Sequence, residues 1–424
     1  MSAVLAEELG RVPIVTLSEV ADLVRGVSYP KTDVREEPAP DFVPVLRATN
    51  IQDARLILDS DMVFVAERNV SPEQLLRPGD IVVATSSGSK HLVGKSGQLH
   101  ATWHGSFGAF CAAVRPRPGI HPRYLALFLQ APAYWHQISK KALGVNINNL
   151  RRGDLESLEL PLPPPSIQER IVAELEKQFS RLDKAVGNLK RVKDRLDGYK
   201  GSIISEAVGG RATADDRVVP KGWRQGLLGD VVAKITSGSR DWSPYYGRGA
   251  AIFLLAQNVR SMAPDFSVVQ HVDPPEADPA RARSRVQRGD LLVTIVGANT
   301  GQACMVQELP GESFVCQSVA LIRPMIAANA AYLNLWFNSP DHGRRYFDRC
   351  MYGQGRPHLG FDQLAAMPIT IPPPYEQVRI IAEVDRRLSI VREVDVEVDT
   401  NLRRAQGLRQ AVLARAFNEG SVHA

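Results

Sequence analysis

The sequence predicts an α+β protein built twice: two mixed α/β domains, each followed by a long helix, in a pseudo-twofold internal repeat. Three observations predict it. One stretch occurs twice, as Pro161-Leu-Pro-Pro-Pro-Ser-Ile-Gln-Glu-Arg-Ile-Val-Ala-Glu-Leu175 and as Thr370-Ile-Pro-Pro-Pro-Tyr-Glu-Gln-Val-Arg-Ile-Ile-Ala-Glu-Val384. Pro163 answers Pro372, 209 residues on in a chain of 424, far beyond the roughly 20–50-residue period of solenoids and propellers. After each Pro triplet runs a proline-free apolar seam of helical spacing, and before each lie short β-branched runs punctuated by Gly and Pro.

In chain order, Val12-Pro-Ile-Val-Thr-Leu17 leads in, and Val43-Pro-Val-Leu-Arg-Ala-Thr-Asn-Ile51 reads as a strand running into a polar turn. Arg77-Pro-Gly-Asp80 is a turn before the strand Ile81-Val-Val83 and the polar loop Thr85-Ser-Ser-Gly-Ser-Lys90; Phe107 to Val114 reads as one further strand. Tyr124 to Gln130 and Tyr134 to Lys141 read as short helices. The second half repeats this order. Ile252 to Val259 answers the Val43 run, with Asn258 in the place of Asn50, and Arg288-Gly-Asp290 answers Pro78-Gly-Asp80. Tyr332 to Phe337 answers the Tyr124 helix, and Gly353 to Leu359 answers Gly144 to Leu150. Scaffold positions match while loop residues differ, as two ligand specificities on one fold require.

The first seam is Ile171, Leu175, Phe179, Leu182, Val186 and Leu189, continuing through Leu196, Tyr199 and Ile203. The second is Ile380, Val384, Leu388, Val391, Val398 and Leu402, continuing through Leu408 and Val412. Steps of three and four give one apolar stripe of coiled-coil type, with charged residues between. Each helix spans about 40 residues, or about 60 Å at 1.5 Å per residue. A lone helix of this kind is unstable in water. Each seam can bury on its own domain or against the other seam, and the second arrangement is the expected one.

At 44% hydrophobic and 7% aromatic, the composition supplies ample core for two or three domains. The net charge of +5 and pI near 9.0 permit a nucleic-acid partner without requiring one. Cys111, Cys304, Cys316 and Cys350 lack CxxC spacing, and Met1-Ser-Ala-Val-Leu-Ala-Glu-Glu is no signal peptide, so reduced thiols and a cytoplasmic location are expected. No apolar run reaches the roughly 18 residues of a membrane span.

The chain lacks the motifs of an enzyme. Gly297-Ala-Asn-Thr-Gly301 is a turn and not a phosphate loop. His100 and His104 sit four apart without a third metal ligand. Pro372-Pro-Pro-Tyr375 contains the Pro-Pro-Tyr core of amino-methyltransferases without its leading Asp, Asn or Ser, and no glycine motif for S-adenosylmethionine accompanies it. No catalytic residue, cofactor site or metal site is therefore expected.

Taken in order and twice over, the Pro-Pro-Pro leader with Gln168 and Gln377, the Ile-Ala-Glu type helix start and the Gly-Asp turn before a strand resemble the specificity subunit of type I restriction–modification systems. The resemblance covers nearly the whole chain. It implies target recognition domains at residues 1–160 and 213–368, with conserved helical spacers at 161–212 (including a linker) and 369–424. The spacers would form an antiparallel two-helix coiled coil. It implies double-stranded DNA as ligand, one half-site per domain with unspecified bases between, and docking of two modification subunits. Those subunits would carry S-adenosylmethionine and methylate adenine. Restriction subunits, with ATP and Mg, would join for cleavage. A coiled-coil protein adaptor and a self-sufficient DNA methyltransferase are the competing classes.

For a DNA reader, specificity comes from polar loop side chains at base edges and affinity from Lys and Arg on phosphates. The candidate loop residues are Arg47, Thr49, Asn50, Ser86, Ser87, Lys90, Asn146 and Asn148 in the first domain. In the second they are Gln257, Asn258, Arg260, Asn299, Gln354, Arg356 and His358. The matched positions of Asn50 and Asn258 also fit a scaffold role.

Overall fold

A computed structural model describes residues 12–87, 92–142, 149–209, 220–326, 328–352 and 357–417. It contains two compact units of discontinuous and continuous chain: residues 1–189 with 400–424, and residues 190–399. No helix among the described residues is long and apolar enough to cross a membrane.

Two long helices dominate the element order: α1, Pro165–Gly209, and α2, Pro374–Phe417, of 45 and 44 residues. A proline begins each, at the first helical position, where its missing N–H costs nothing. The repeated glutamine fixes the leader. Gln168 Nε2 donates to the Pro163 carbonyl at 2.8 Å, and Gln377 Nε2 to the Pro372 carbonyl at 2.9 Å. Both glutamines are buried.

The first unit packs a six-stranded sheet, a four-stranded sheet and a strand pair. The six-stranded sheet runs Ala21–Arg25, Cys111–Pro116, Ile81–Ala84, Ser96–Gln98, Arg55–Leu56, Ile51–Gln52. The strand pair, Ile14–Thr16 with Glu159–Pro161, delivers the chain to α1. Helices Pro122–Phe128 and Pro132–Ala142 cover the core. Buried in that core are Ile171, Leu175 and Phe179 of α1 together with Leu413, Ala416 and Phe417 of α2. The Phe417 ring lies 5.3 Å from Tyr124 and 5.7 Å from Phe128.

The second unit repeats the plan with a four-stranded sheet, Val232–Ser237, Val319–Pro324, Leu291–Thr294 and Ala303–Met305, beside a three-stranded one. Its strand pair, Arg224–Leu227 with Pro368–Ile371, delivers the chain to α2. Ile203, Ile204 and Val208 of α1 join Val384 and Val391 of α2 in its core, beside Tyr332 and Phe337. The hydroxyls of Tyr124 and Tyr332 occupy matching places, donating to the carbonyls of Pro161 and Thr370 at 2.7 and 2.8 Å.

Within each unit the two helical segments run antiparallel. In the first, Asp183 pairs with Arg409, which stacks over the Phe179 ring at 4.1 Å. In the second, Lys193 pairs with Asp399, Lys200 with Asp395 and Arg387 with Glu206. The seams bury both against each other and into the domain cores. Ile171, Leu175, Phe179, Val384, Val391 and Val398 are buried, whereas Leu182, Val186, Leu189, Ile380, Leu388 and Leu402 are half-buried. Two expected seam positions, Tyr199 and Leu408, instead face solvent, 51% and 55% exposed. An α-helix drifts from a strict heptad, so Lys200 with its Asp395 partner, and Ala405 with Arg409, take the inward places.

Candidate nucleic-acid interface

The loops hang on a duplicated frame. Asn50 accepts from the Arg47 N–H at 2.8 Å and donates to the carbonyls of Ile57 and Ser60 at 3.2 and 2.7 Å. Asn258 does the same with Leu255 N–H at 3.0 Å and the carbonyls of Asp265 and Val268, both at 2.8 Å. Each asparagine thus closes the loop that follows it at the same two spacings. Both are buried with both amide donors and the oxygen engaged by backbone groups, so neither presents an edge to a base, and they leave the list of candidate contacts.

The Gly-Asp turn also has a structural cause. Gly79 and Gly289 take φ of 96° and 88°, in the left-handed region that a side chain resists. The aspartate that follows is buried and receives a two-pronged guanidinium. Arg115 donates to Asp80 at 2.9 and 2.7 Å, and Arg323 donates to Asp290 at 2.7 Å through both nitrogens. These charge-assisted bonds push both guanidinium pKa values up, against the opposing effect of burial.

On this frame the first unit gathers four of its candidates. Arg47, Thr49, Ser86 and Ser87 line one cavity of about 550 Å³. Arg47 is braced by an ion pair with Asp61, and Thr49 is exposed. A second cavity, of about 580 Å³, shares Ser86 and Phe110 with the first and adds Arg25, Asn149, Arg151 and Arg152. Ser86 bridges to Asn149, and Leu150 N–H donates to the Thr85 carbonyl at 2.7 Å. Cys111 lies under both cavities. Its burial pushes the thiol up to about 12, so it stays protonated and unreactive. Burial also raises Tyr29 beside Arg47, whose charge opposes the shift. Lys90, Asn146 and Asn148 lie outside the described residues.

In the second unit the corresponding bridge joins Val296 to His358, and Leu359 N–H donates to the Ile295 carbonyl at 2.9 Å. Asn299 sits in the Gly297–Gly301 turn, which Thr300 ties to the Pro357 carbonyl at 3.1 Å. The structure therefore places Asn299 and His358 on adjoining loops. Gln257 and Arg260 are exposed on a separate loop around Asn258. His358 exchanges backbone hydrogen bonds with Tyr352, and their rings stack at 5.8 Å. Gln354 and Arg356 lie outside the described residues.

Several side chains at these sites were not singled out from the sequence. Tyr352 is one, and Arg25, Arg151 and Arg152 are others. The most prominent is Phe110, 68% exposed. The run from Phe107 to Val114 is not one strand, as expected, but two: Ser106–Phe107 and Cys111–Pro116, in different sheets, with Phe110 on the turn between them. Gly108 was the available signal for that break.

Residues 12–191 match the family described as the type I restriction modification DNA specificity domain. The chain is similar to the type I restriction enzyme EcoKI specificity subunit of Escherichia coli K12, at 27% identity over 412 residues, 95% of this chain and 88% of that protein. It is similar to the StySPI specificity subunit of Salmonella potsdam at 27% over 413 residues, 95% of this chain and 87% of that one. In fold it is similar to a chain from a structure describing complex assembly and conformational transition of a type I R-M system. The TM-score is 0.67 at 19% identity, over 96% of this chain and 98% of that one.

Proposed function

We propose that this chain is a member of the type I restriction–modification specificity family, the sequence-specific DNA-binding subunit of such a complex, and supplies the address for chemistry done by its partners. Each unit reads one half of a bipartite duplex target. The helix pair separates the two readers and docks two modification subunits, which hold S-adenosylmethionine. Restriction subunits, with ATP and Mg, join that assembly. Target recognition domains at 1–160 and 213–368, with spacers at 161–212 and 369–424, are the division this reading assigns.

The observation that supports it most is one frame carrying two loop chemistries. Asn50 and Asn258, Asp80–Arg115 and Asp290–Arg323, and the Thr85–Leu150 and Ile295–Leu359 hydrogen bonds match pair for pair. At the loops, Thr49 is replaced by Gln257 and Ser86 by Val296. A repeated frame with unlike loop side chains fits two unlike half-sites, since base edges and not phosphates distinguish sequences. The test is methylation-sensitive sequencing of a host genome with and without this gene. A bipartite motif with a fixed gap, methylated only when the gene is present, is expected. Methylation unchanged by the gene overturns the reading, as does S-adenosylmethionine bound at micromolar affinity by the purified chain alone.

A further inference from the structure

The geometry points to Phe110 as the residue that makes apolar contact with a base of the half-site read by the first unit, a side-chain role that the second unit lacks. This rests on the DNA-reading function proposed above and assigns a specificity determinant within it. Phe110 stands on a turn and is the more open of the two phenylalanines exposed among the described residues, 68% against 39% for Phe361. The turn is rigid. The Phe110 carbonyl accepts from Thr85 N–H at 2.8 Å and from Ser86 N–H at 3.1 Å, and Cys111 N–H returns to the Gly108 carbonyl at 2.8 Å. Phe110 lines both cavities described above.

The surroundings select the partner. Among the described residues, the two cavities are lined by four arginines (Arg25, Arg47, Arg151 and Arg152) and by no carboxylate. Two of the four are braced, Arg47 by Asp61 and Arg152 by Glu156. An aromatic side chain standing among guanidinium groups and hydroxyls complements a polyanion whose interior is apolar. A duplex offers a phenyl two apolar surfaces, the thymine C5-methyl in the major groove and the face of a base at an opened step. The second unit builds the same turn, with the Ser318 carbonyl accepting from Ile295 N–H at 2.9 Å, but carries Gln317 and Ser318 where the first has Ala109 and Phe110. The apolar contact is therefore confined to one half-site.

The experiment uses the full chain assembled with its partner subunits, on duplexes carrying the bipartite sequence mapped for the parent. Phe110→Ser installs the residue of the second unit, and Phe110→Leu keeps an apolar group. The serine variant should melt like the parent, because the side chain is exposed. It should bind the parent duplex roughly tenfold or more weakly and relax one position of one half-site, the other half-site remaining unchanged. The leucine variant should retain most of the affinity. Replacing single thymines by uracil should weaken the parent and not Phe110→Ser if the methyl is the surface contacted. Raised 2-aminopurine fluorescence on binding by the parent alone identifies an opened base instead. A serine variant with the parent's motif and affinity overturns the inference while leaving the parent's bipartite motif, and the function, standing. Loss of modification-subunit assembly with unaltered DNA reading also overturns it and assigns the phenyl to a protein contact. If the serine variant melts early, the parent's indifference to every uracil and 2-aminopurine substitution overturns it equally. A parent complex with no bipartite motif removes both the function and this inference.

Discussion

Asn258 holds one backbone N–H and two backbone carbonyls with a single amide, in a place where water cannot replace it. Asn258→Ala leaves those groups without their partner and should lower unfolding free energy by about 2–3 kcal/mol in urea titration. Asn258→Asp, which keeps the acceptor and loses the donors, should fall well short of restoring it. Acid sensitivity has an identifiable contributor in the same unit. The indole N–H of buried Trp242 donates to Asp278 at 2.6 Å and, with the Ala280 N–H, holds that carboxyl below its ordinary value of 3.8. The folded state thus favours the ionised form. The resulting stability is present above 3.8 and is lost as pH falls through the lower folded value. Melting followed by tryptophan fluorescence from about pH 6 to about pH 3 should show a smaller drop for Asp278→Asn than for the parent. At this scale the sequence displayed identities more readily than duties. Asp80, Asp290, Gln168 and Gln377 stood out by repetition, yet their partners are backbone atoms and arginines that no local pattern connects to them. Phe110 was hidden because the short run from Phe107 to Val114 reads as one strand unless Gly108 is taken as a break.

The long helices were legible because a seam of threes and fours without proline has few other readings, and the strands before each repeat were legible by their punctuation. What could not be read was which seam residues are deepest. That depends on helix drift and on the domain that each helical segment meets. The buried set gives a graded expectation. Val384→Asp and Val391→Asp, at sites 1% and 3% exposed, place a carboxylate in a closed core and should cost several kcal/mol. Leu182→Asp and Leu388→Asp, at half-buried sites, should cost less, while Tyr199→Asp and Leu408→Asp should melt within a few degrees of the parent. Thermal melts of the six variants test the order. Melts within a few degrees of the parent for all six would mean that neither seam is a buried interface.

For the whole molecule, the proposed function makes the helix pair a spacer of adjustable length. The Asp183–Arg409 pair sets the register in the first unit, so Leu189 stands near Arg403 along the opposing helix. One heptad inserted after Leu189 and one after Leu402 therefore lengthen both helices together while preserving the apolar repeat. Each grows by about 10.5 Å, and DNA rises about 3.4 Å per base pair, so the gap in the methylated motif should widen by roughly three base pairs. The half-site sequences should stay the same because their loops are untouched. Methylation mapping of the variant complex checks this, and persistence of the original gap would show that the helices do not set it.

The assignment of residues 400–417 to the first unit has a further meaning on the ribosome. Residues 190–399, the second unit, leave the exit tunnel as one contiguous piece and can close their core as soon as they are made. The first unit is synthesised earlier but is finished later, because Leu413, Ala416 and Phe417 fill a core whose other walls begin at Leu17. For most of translation that unit waits with an open apolar face between Tyr124, Phe128 and Phe179, a window in which chaperone binding competes with misassociation. The half of the protein that is translated first is thus the half whose core is completed by the last helical turns of α2.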